Sequence, residues 1–155
     1  MKEDIQTLSV GIVSSRFNNE TVEKISKACI SKLEALGVSS TNIIHISVPG
    51  ALEIPIALKK LAEGNERFDV MVAIGLVIRG ETYHFELISN EVTRKIMDLS
   101  VNHKKPIGFG ILTCENLDQA IQRSDQNHGN KGKEAALACV RLINENKSIK
   151  NKLNG

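Results

Sequence analysis

Residues 70–90 read V-M-V-A-I-G-L-V-I-R-G-E-T-Y-H-F-E-L-I-S-N, and the rest of the chain can be placed around them. Val70 to Ile78 is a near-continuous apolar run broken only by Gly75, the pattern of a strand buried on both faces of a parallel sheet. Within four residues the character changes. Arg79-Gly80-Glu81-Thr82 is a turn that puts a hydroxyl at a helix N-cap, and Phe85, Ile88, Val92, Ile96 and Leu99 then recur with helical spacing. A strand leading through a short glycine-bearing loop into a helix start is where open α/β sheets place their ligands. His84 falls in the first turn of that helix, where free N–H groups attract an anion such as phosphate and the same positive end disfavours an imidazolium. An anion site and a proton-transfer group therefore coincide.

Outward from this stretch, strand and helix alternate. Leu8 to Val13 is a first strand, and Ser14 to Asn19 is a polar loop in which Phe17 is either a local plug or the wall of a pocket. From Asn19 the positions Val22, Ile25, Cys29, Ile30, Leu33 and Leu36 keep helical spacing up to a stop at Gly37. Asn42 to Val48 is a second strand ended by Pro49-Gly50. Pro55 is tolerable only in a first turn, so the next helix starts near Leu52 or Glu53 and ends at Gly64. Pro106 introduces a fourth strand, Ile107 to Leu112, whose glycines flank Phe109 and suggest close approach by backbone or ligand. Thr113 to Asn116 begins a short helix with Leu117, Ala120 and Ile121 as its buried side and Arg123 near its end. After the polar loop Gln126 to Lys131, a last helix from about Gly132 to Asn146 carries Ala135, Ala138, Cys139, Leu142 and Ile143 inward. Residues 1–7 and the lysine- and asparagine-rich end, 147–155, are expected to be flexible. The expected fold is α/β: a three-layer α/β/α sandwich of flavodoxin-like type on a four-stranded, mainly parallel sheet, with one domain over residues 1–155.

With 155 residues and 41% hydrophobic content, the chain can bury a real core but has no spare length for a second domain. A net charge of +2, with no basic block interleaved with aromatics, argues against a nucleic-acid partner. The N-terminus has no apolar core of signal-peptide length and no apolar run would span a bilayer, so a cytoplasmic location without membrane association is expected. Cys29, Cys114 and Cys139 are widely separated, with no C-x-x-C and no paired histidines at metal-ligand spacing. Neither a metal nor a disulfide is expected, and Cys29 and Cys139 read as buried thiols. Four Phe, one Tyr and no Trp leave few rings on which a planar ligand could stack.

Strand ends gather on one edge of such a sheet, so Phe17, the segment Gly50 to Glu53, and the loop Ile78 to His84 should converge. They bring a ring for stacking, a carboxylate at a helix start, and backbone N–H groups with Thr82 and His84. A cation for the phosphate is the missing piece. Arg79 is the local candidate, and Arg123 or Lys131 could come from a neighbouring subunit.

Five motifs in order carry a resemblance to a known family: R-F-N (Arg16 to Asn18), V-P-G-A-L-E-I-P (Val48 to Pro55), G-L-V-I-R-G-E-T-Y-H-F-E (Gly75 to Glu86), G-I-L-T-C-E-N-L-D-Q-A-I-Q-R (Gly110 to Arg123) and N-K-G-K-E-A-A (Asn130 to Ala136). Spread over about residues 8 to 145, they resemble lumazine synthase, the penultimate enzyme of riboflavin biosynthesis. The resemblance implies condensation of 5-amino-6-(D-ribitylamino)uracil with 3,4-dihydroxy-2-butanone 4-phosphate to 6,7-dimethyl-8-ribityllumazine, phosphate and water, with no cofactor. It implies His84 as proton shuttle, oriented by Glu134 from across an interface. Glu81 through its backbone, Thr82 and a bidentate Arg123 would hold the phosphate. Phe17 would stack on the pyrimidine; Ala51, Leu52 and Glu53 would line the pyrimidine and ribityl pocket; Val77 and Ile78 would supply backbone contacts. Phe109, Lys131 and Arg123 would come from the adjacent subunit of a homo-oligomer, a pentamer or an assembly of pentamers.

One position departs from the pattern: Leu52 is aromatic in many relatives, and leucine keeps the wall apolar while removing a flat face. The competing reading is a flavin- or lumazine-binding protein of the same fold that keeps the pocket without turnover. A generic flavodoxin-like nucleotide or response-regulator domain would need acidic clusters or a glycine-rich phosphate loop after the first strand, and Ser14 to Asn19 contains neither.

Overall fold

The computed structural model describes residues 5–64 and 68–155. Of the N-terminal end expected to be flexible, residues 1–4 lie outside them. The described residues form four strands, β1 (Val10–Ser15), β2 (Ile43–Val48), β3 (Val70–Ile78) and β4 (Ile107–Cys114), in the order β2-β1-β3-β4. Every pairing is parallel, with Val10 beside both Ile43 and Val70, and Met71 beside Ile107. The helices are α1 (Asn19–Ala35), α2 (Ile54–Glu63), α3 (His84–His103), α4 (Leu117–Ser124) and α5 (Lys131–Asn154).

Alternation along β3 builds the three layers. Val70, Val72, Ile74 and Leu76 point into one core with Val22, Ile25, Cys29 and Leu33 of α1, Ala120 of α4, and Ala135, Ala136 and Cys139 of α5. Met71, Ala73 and Val77 point into the other, against Ile54 and Leu58 of α2 and Val92, Ile96 and Leu99 of α3. Being buried on both faces is why this strand reads as an unbroken apolar run. Close approach at the glycines flanking Phe109 is by backbone and, at Gly108, also by the Cys139 sulfur. A Cβ at Gly108 would lie 2.7 Å from the Ala135 carbonyl oxygen, and one at Gly132 would lie 2.2 Å from that of Ile25, so α5 sits tightly on both the sheet and α1.

Several boundaries differ from the sequence reading for identifiable reasons. β1 runs two residues past Val13 because Ser14 and Ser15 are paired and buried in the sheet, the Ser14 hydroxyl meeting His45 Nε2 at 2.7 Å. β4 likewise continues through Thr113 and Cys114, which pair with Val77 and Ile78. Thr82 is not the N-cap of α3: the helix begins at His84 after Tyr83, and the Thr82 hydroxyl accepts only a long 3.4 Å bond from the His84 N–H. On α4 Ala120 is buried, while Leu117 and Ile121 are 49% and 44% exposed. On α5 the stripe is Ala135, Ala136, Cys139 and Val140; Ala138 and Leu142 face outward. The end expected to fray is helical to Asn154, since no glycine or proline interrupts it before Gly155 and lysine is a good helix former suited to the last turns. No helix among the described residues is long and apolar enough to cross a membrane.

Candidate active site

The strand order reverses direction between β1 and β3, and the crevice outside their carboxyl ends is where such sheets bind ligands. A cavity of about 460 Å³ opens there. Phe17 enters it from the loop after β1, and Pro49 to Glu53 enter from the 3₁₀ turn after β2. Val77, Ile78, Gly80, Thr82 and His84 enter from the end of β3 and the start of α3. Phe17 is 65% exposed and Leu52 54%, so neither ring nor aliphatic wall is consumed by the core. The local conformations follow from the sequence. Asn18 takes up the left-handed region at φ 57° to start α1 directly after Phe17, and Pro55 sits in the first turn of α2, where its missing N–H costs nothing. His84 is exposed on the first turn of α3.

Arg79, the local cation, is already committed. Its Nη1 makes a close ion pair with Glu86, its Nε donates to Glu115 Oε2 at 2.7 Å, and its guanidinium lies 4.4 Å from the centre of the Phe85 ring. These bonds hold the Glu86 carboxyl below the usual carboxylate range and raise the arginine further. Two carboxylates neutralise Arg79 before any phosphate could, so it is a structural tie and not a free anion ligand.

The other predicted cations gather elsewhere. A second cavity of about 490 Å³, beside β4, is lined by Phe109, Ile111 and Thr113 from the strand, Arg123 from α4, Gly129, and Lys131 and Glu134 from α5. Lys131 Nζ lies 3.3 Å from Glu134 Oε1 and 5.9 Å from the centre of the Phe109 ring. Arg123 Nη1 donates to Gln119 Oε1 at 3.4 Å and approaches Cys114 Sγ at 3.7 Å. Among the described residues no carboxylate forms an ion pair with Arg123. α5 starts at Lys131 because Asn130, at φ 39°, caps it by accepting from the Lys133 N–H.

The structure thus brings Phe17, Ala51, Leu52, Glu53, Val77, Ile78, Thr82 and His84 together, and separately Phe109, Arg123, Lys131 and Glu134; the two linings share no residue. Glu81 lines neither, being exposed on the loop between Gly80 and Thr82. Sequence reading missed Phe85 and Ile88 as pocket residues, because their helical spacing matches the core positions farther along α3; both are half-buried and line the first cavity. It also gave Asn18 no role, although its side-chain nitrogen is buried without an acceptor among the described residues.

Comparison with known proteins places this arrangement in context. The family model described as 6,7-dimethyl-8-ribityllumazine synthase matches residues 7–147. Proteins of that name from Methylibium petroleiphilum, Paracidovorax citrulli and Burkholderia vietnamiensis are 48%, 46% and 47% identical to this chain over 90%, 91% and 88% of its length, covering 84%, 88% and 78% of theirs.

Proposed function

We infer the roles of individual residues from one premise: the chain belongs to the 6,7-dimethyl-8-ribityllumazine synthase family. Its reaction is the condensation of 5-amino-6-(D-ribitylamino)uracil with 3,4-dihydroxy-2-butanone 4-phosphate to 6,7-dimethyl-8-ribityllumazine, phosphate and water. The names of the relatives support turnover over a binding protein that has lost it.

An amine must form an imine with a ketone, phosphate must leave by elimination, and the ring must close. The enzyme therefore works mainly by orienting two substrates and moving protons. Phe17 stacks on the pyrimidine, Ala51, Leu52 and Glu53 flank it and the ribityl chain, and the Val77–Ile78 backbone fixes its edge. His84 shuttles protons between the amine, the imine carbon skeleton and the departing groups. Thr82 and the N–H groups around Glu81 hold the phosphate at the positive end of α3.

The second cavity completes the first in a neighbouring chain. Arg123 grips the phosphate with two parallel bonds, Lys131 and Phe109 close over the substrates, and Glu134 orients His84. The observation that carries this reading is the division of the chemistry into two cavities of one chain, the first lined by no lysine or arginine and the second by Lys131 and by Arg123, which has no ion pair among the described residues. A closed ring of identical chains, here a pentamer, satisfies every such head-to-tail contact. Exposed Leu52 and Ile56 on one side and Met97 and Val101 along α3 supply apolar surface for it.

The test is lumazine formation followed by absorbance, with the uncatalysed condensation run alongside. His84→Ala lowers kcat about ten- to a hundredfold, near the lower end of what an acid–base group contributes. Chains carrying His84→Ala and chains carrying Arg123→Ala, each strongly impaired separately, recover roughly a quarter of wild-type activity when dissociated and reassembled together, because random pairing rebuilds intact sites. No recovery from reassembled mixtures would remove the shared site.

A further inference from the structure

We propose that Arg79 is a positioning residue for Arg123, tying the loop that carries Thr82 and His84 of one site to the cation that the same chain lends to its neighbour's phosphate. The proposal rests on the reading of Arg123 as the phosphate ligand.

Two connections run from Arg79 to the same short segment. Its backbone N–H donates to the Cys114 carbonyl at 2.9 Å, and its side-chain Nε donates to Glu115 Oε2 at 2.7 Å. Cys114 and Glu115 in turn hold Arg123. The Cys114 sulfur lies 3.7 Å from Arg123 Nη1, and the Glu115 N–H donates at 2.8 Å to Gln119 Oε1, which accepts from the same Nη1 at 3.4 Å. On the opposite side, Arg79 grips Glu86 and lies over Phe85, a wall of the first cavity. A cation clamped between Glu86 and Glu115 is a poor phosphate ligand and a good brace. Arg123 has no ion pair of its own among the described residues, so its direction depends on the weak contacts to Cys114 and Gln119. Those contacts are fixed only while residues 114–115 are fixed.

The experiment measures, on the assembled enzyme, KM for each substrate, kcat, and the inhibition constant of inorganic phosphate. Arg79→Gln and Glu115→Gln each raise KM for the phosphate-bearing substrate and weaken phosphate inhibition by about tenfold, the scale expected for a displaced positioning group, while KM for the pyrimidine stays within about twofold. The double variant is no worse than either single one, because both cut the same tie. Should Arg79→Gln fail to fold, Glu115→Gln and Gln119→Ala, which lie toward the surface, carry the test. Unchanged phosphate affinity in those two variants, or multiplicative effects in the double variant, overturns the proposal. Unchanged phosphate affinity in Arg123→Lys removes the phosphate-ligand reading itself, and the brace with it; Arg123→Lys weakened while the others stay normal removes the brace alone.

Discussion

The two cavities are nearly equal in size, about 460 and 490 Å³, yet they differ in the chemistry of their walls. The first is framed by strand ends and presents a ring, aliphatic walls and backbone; Arg79, between its wall residues Ile78 and Gly80, is locked between two carboxylates. The second hangs on an edge strand and two helix termini and presents Lys131 and Arg123, which has no ion pair among the described residues. Shape is supplied by one face of the chain and charge by another. A planar heterocycle and a phosphate must meet within bonding distance, and this separation is what the proposed sharing of sites between neighbouring chains would overcome.

Removing the charge should do the most damage. Arg123→Ala is expected to lower kcat/KM about a hundredfold or more, the usual consequence of truncating one partner of a desolvated charge pair, with the loss concentrated in the phosphate-bearing substrate. An equal loss for both substrates would mean that the second cavity does not specialise in phosphate. Truncating the shape comes next: Phe17→Ala should raise KM for the pyrimidine about tenfold, in line with the cost of losing one stacked ring, and leave phosphate inhibition unchanged. The smallest effect sharpens the contrast instead of breaking it. Leu52→Phe restores a flat face to the first cavity and should tighten binding of the pyrimidine or of riboflavin by a few-fold, measured by fluorescence quenching, without altering phosphate affinity.

These two regions were not equally legible in the sequence. β3 could be bounded to the residue because an apolar run ends abruptly at an arginine-glycine turn, and parallel topology then forces Phe17, residues 51–53 and His84 to one edge. Polarity misleads at strand ends: Ser14 and Ser15 read as loop and Thr113 as the start of a helix, but all three are paired strand residues. Exposed apolar positions mislead in the opposite sense. Leu117, Ile121 and Leu142 keep helical spacing like core residues, and only packing reveals that α4 and α5 bury smaller side chains beside them. Most consequentially, Arg79 is the local candidate for the phosphate cation in the sequence because it stands in the right loop, beside Arg123 and Lys131 as candidates from a neighbour. Its partners are seven positions away on α3 and thirty-six away past β4, and only the folded chain brings them to it.

β3 sends alternate side chains into two different cores, with Val72 and Ile74 on one side and Met71 and Ala73 on the other. Neither helical layer can therefore peel away without stripping one face of the central strand and exposing the other layer's floor. The described layers should lose their amide protection together in hydrogen exchange, as one cooperative unit, with no state in which α2 and α3 have opened while α1 and α5 remain closed.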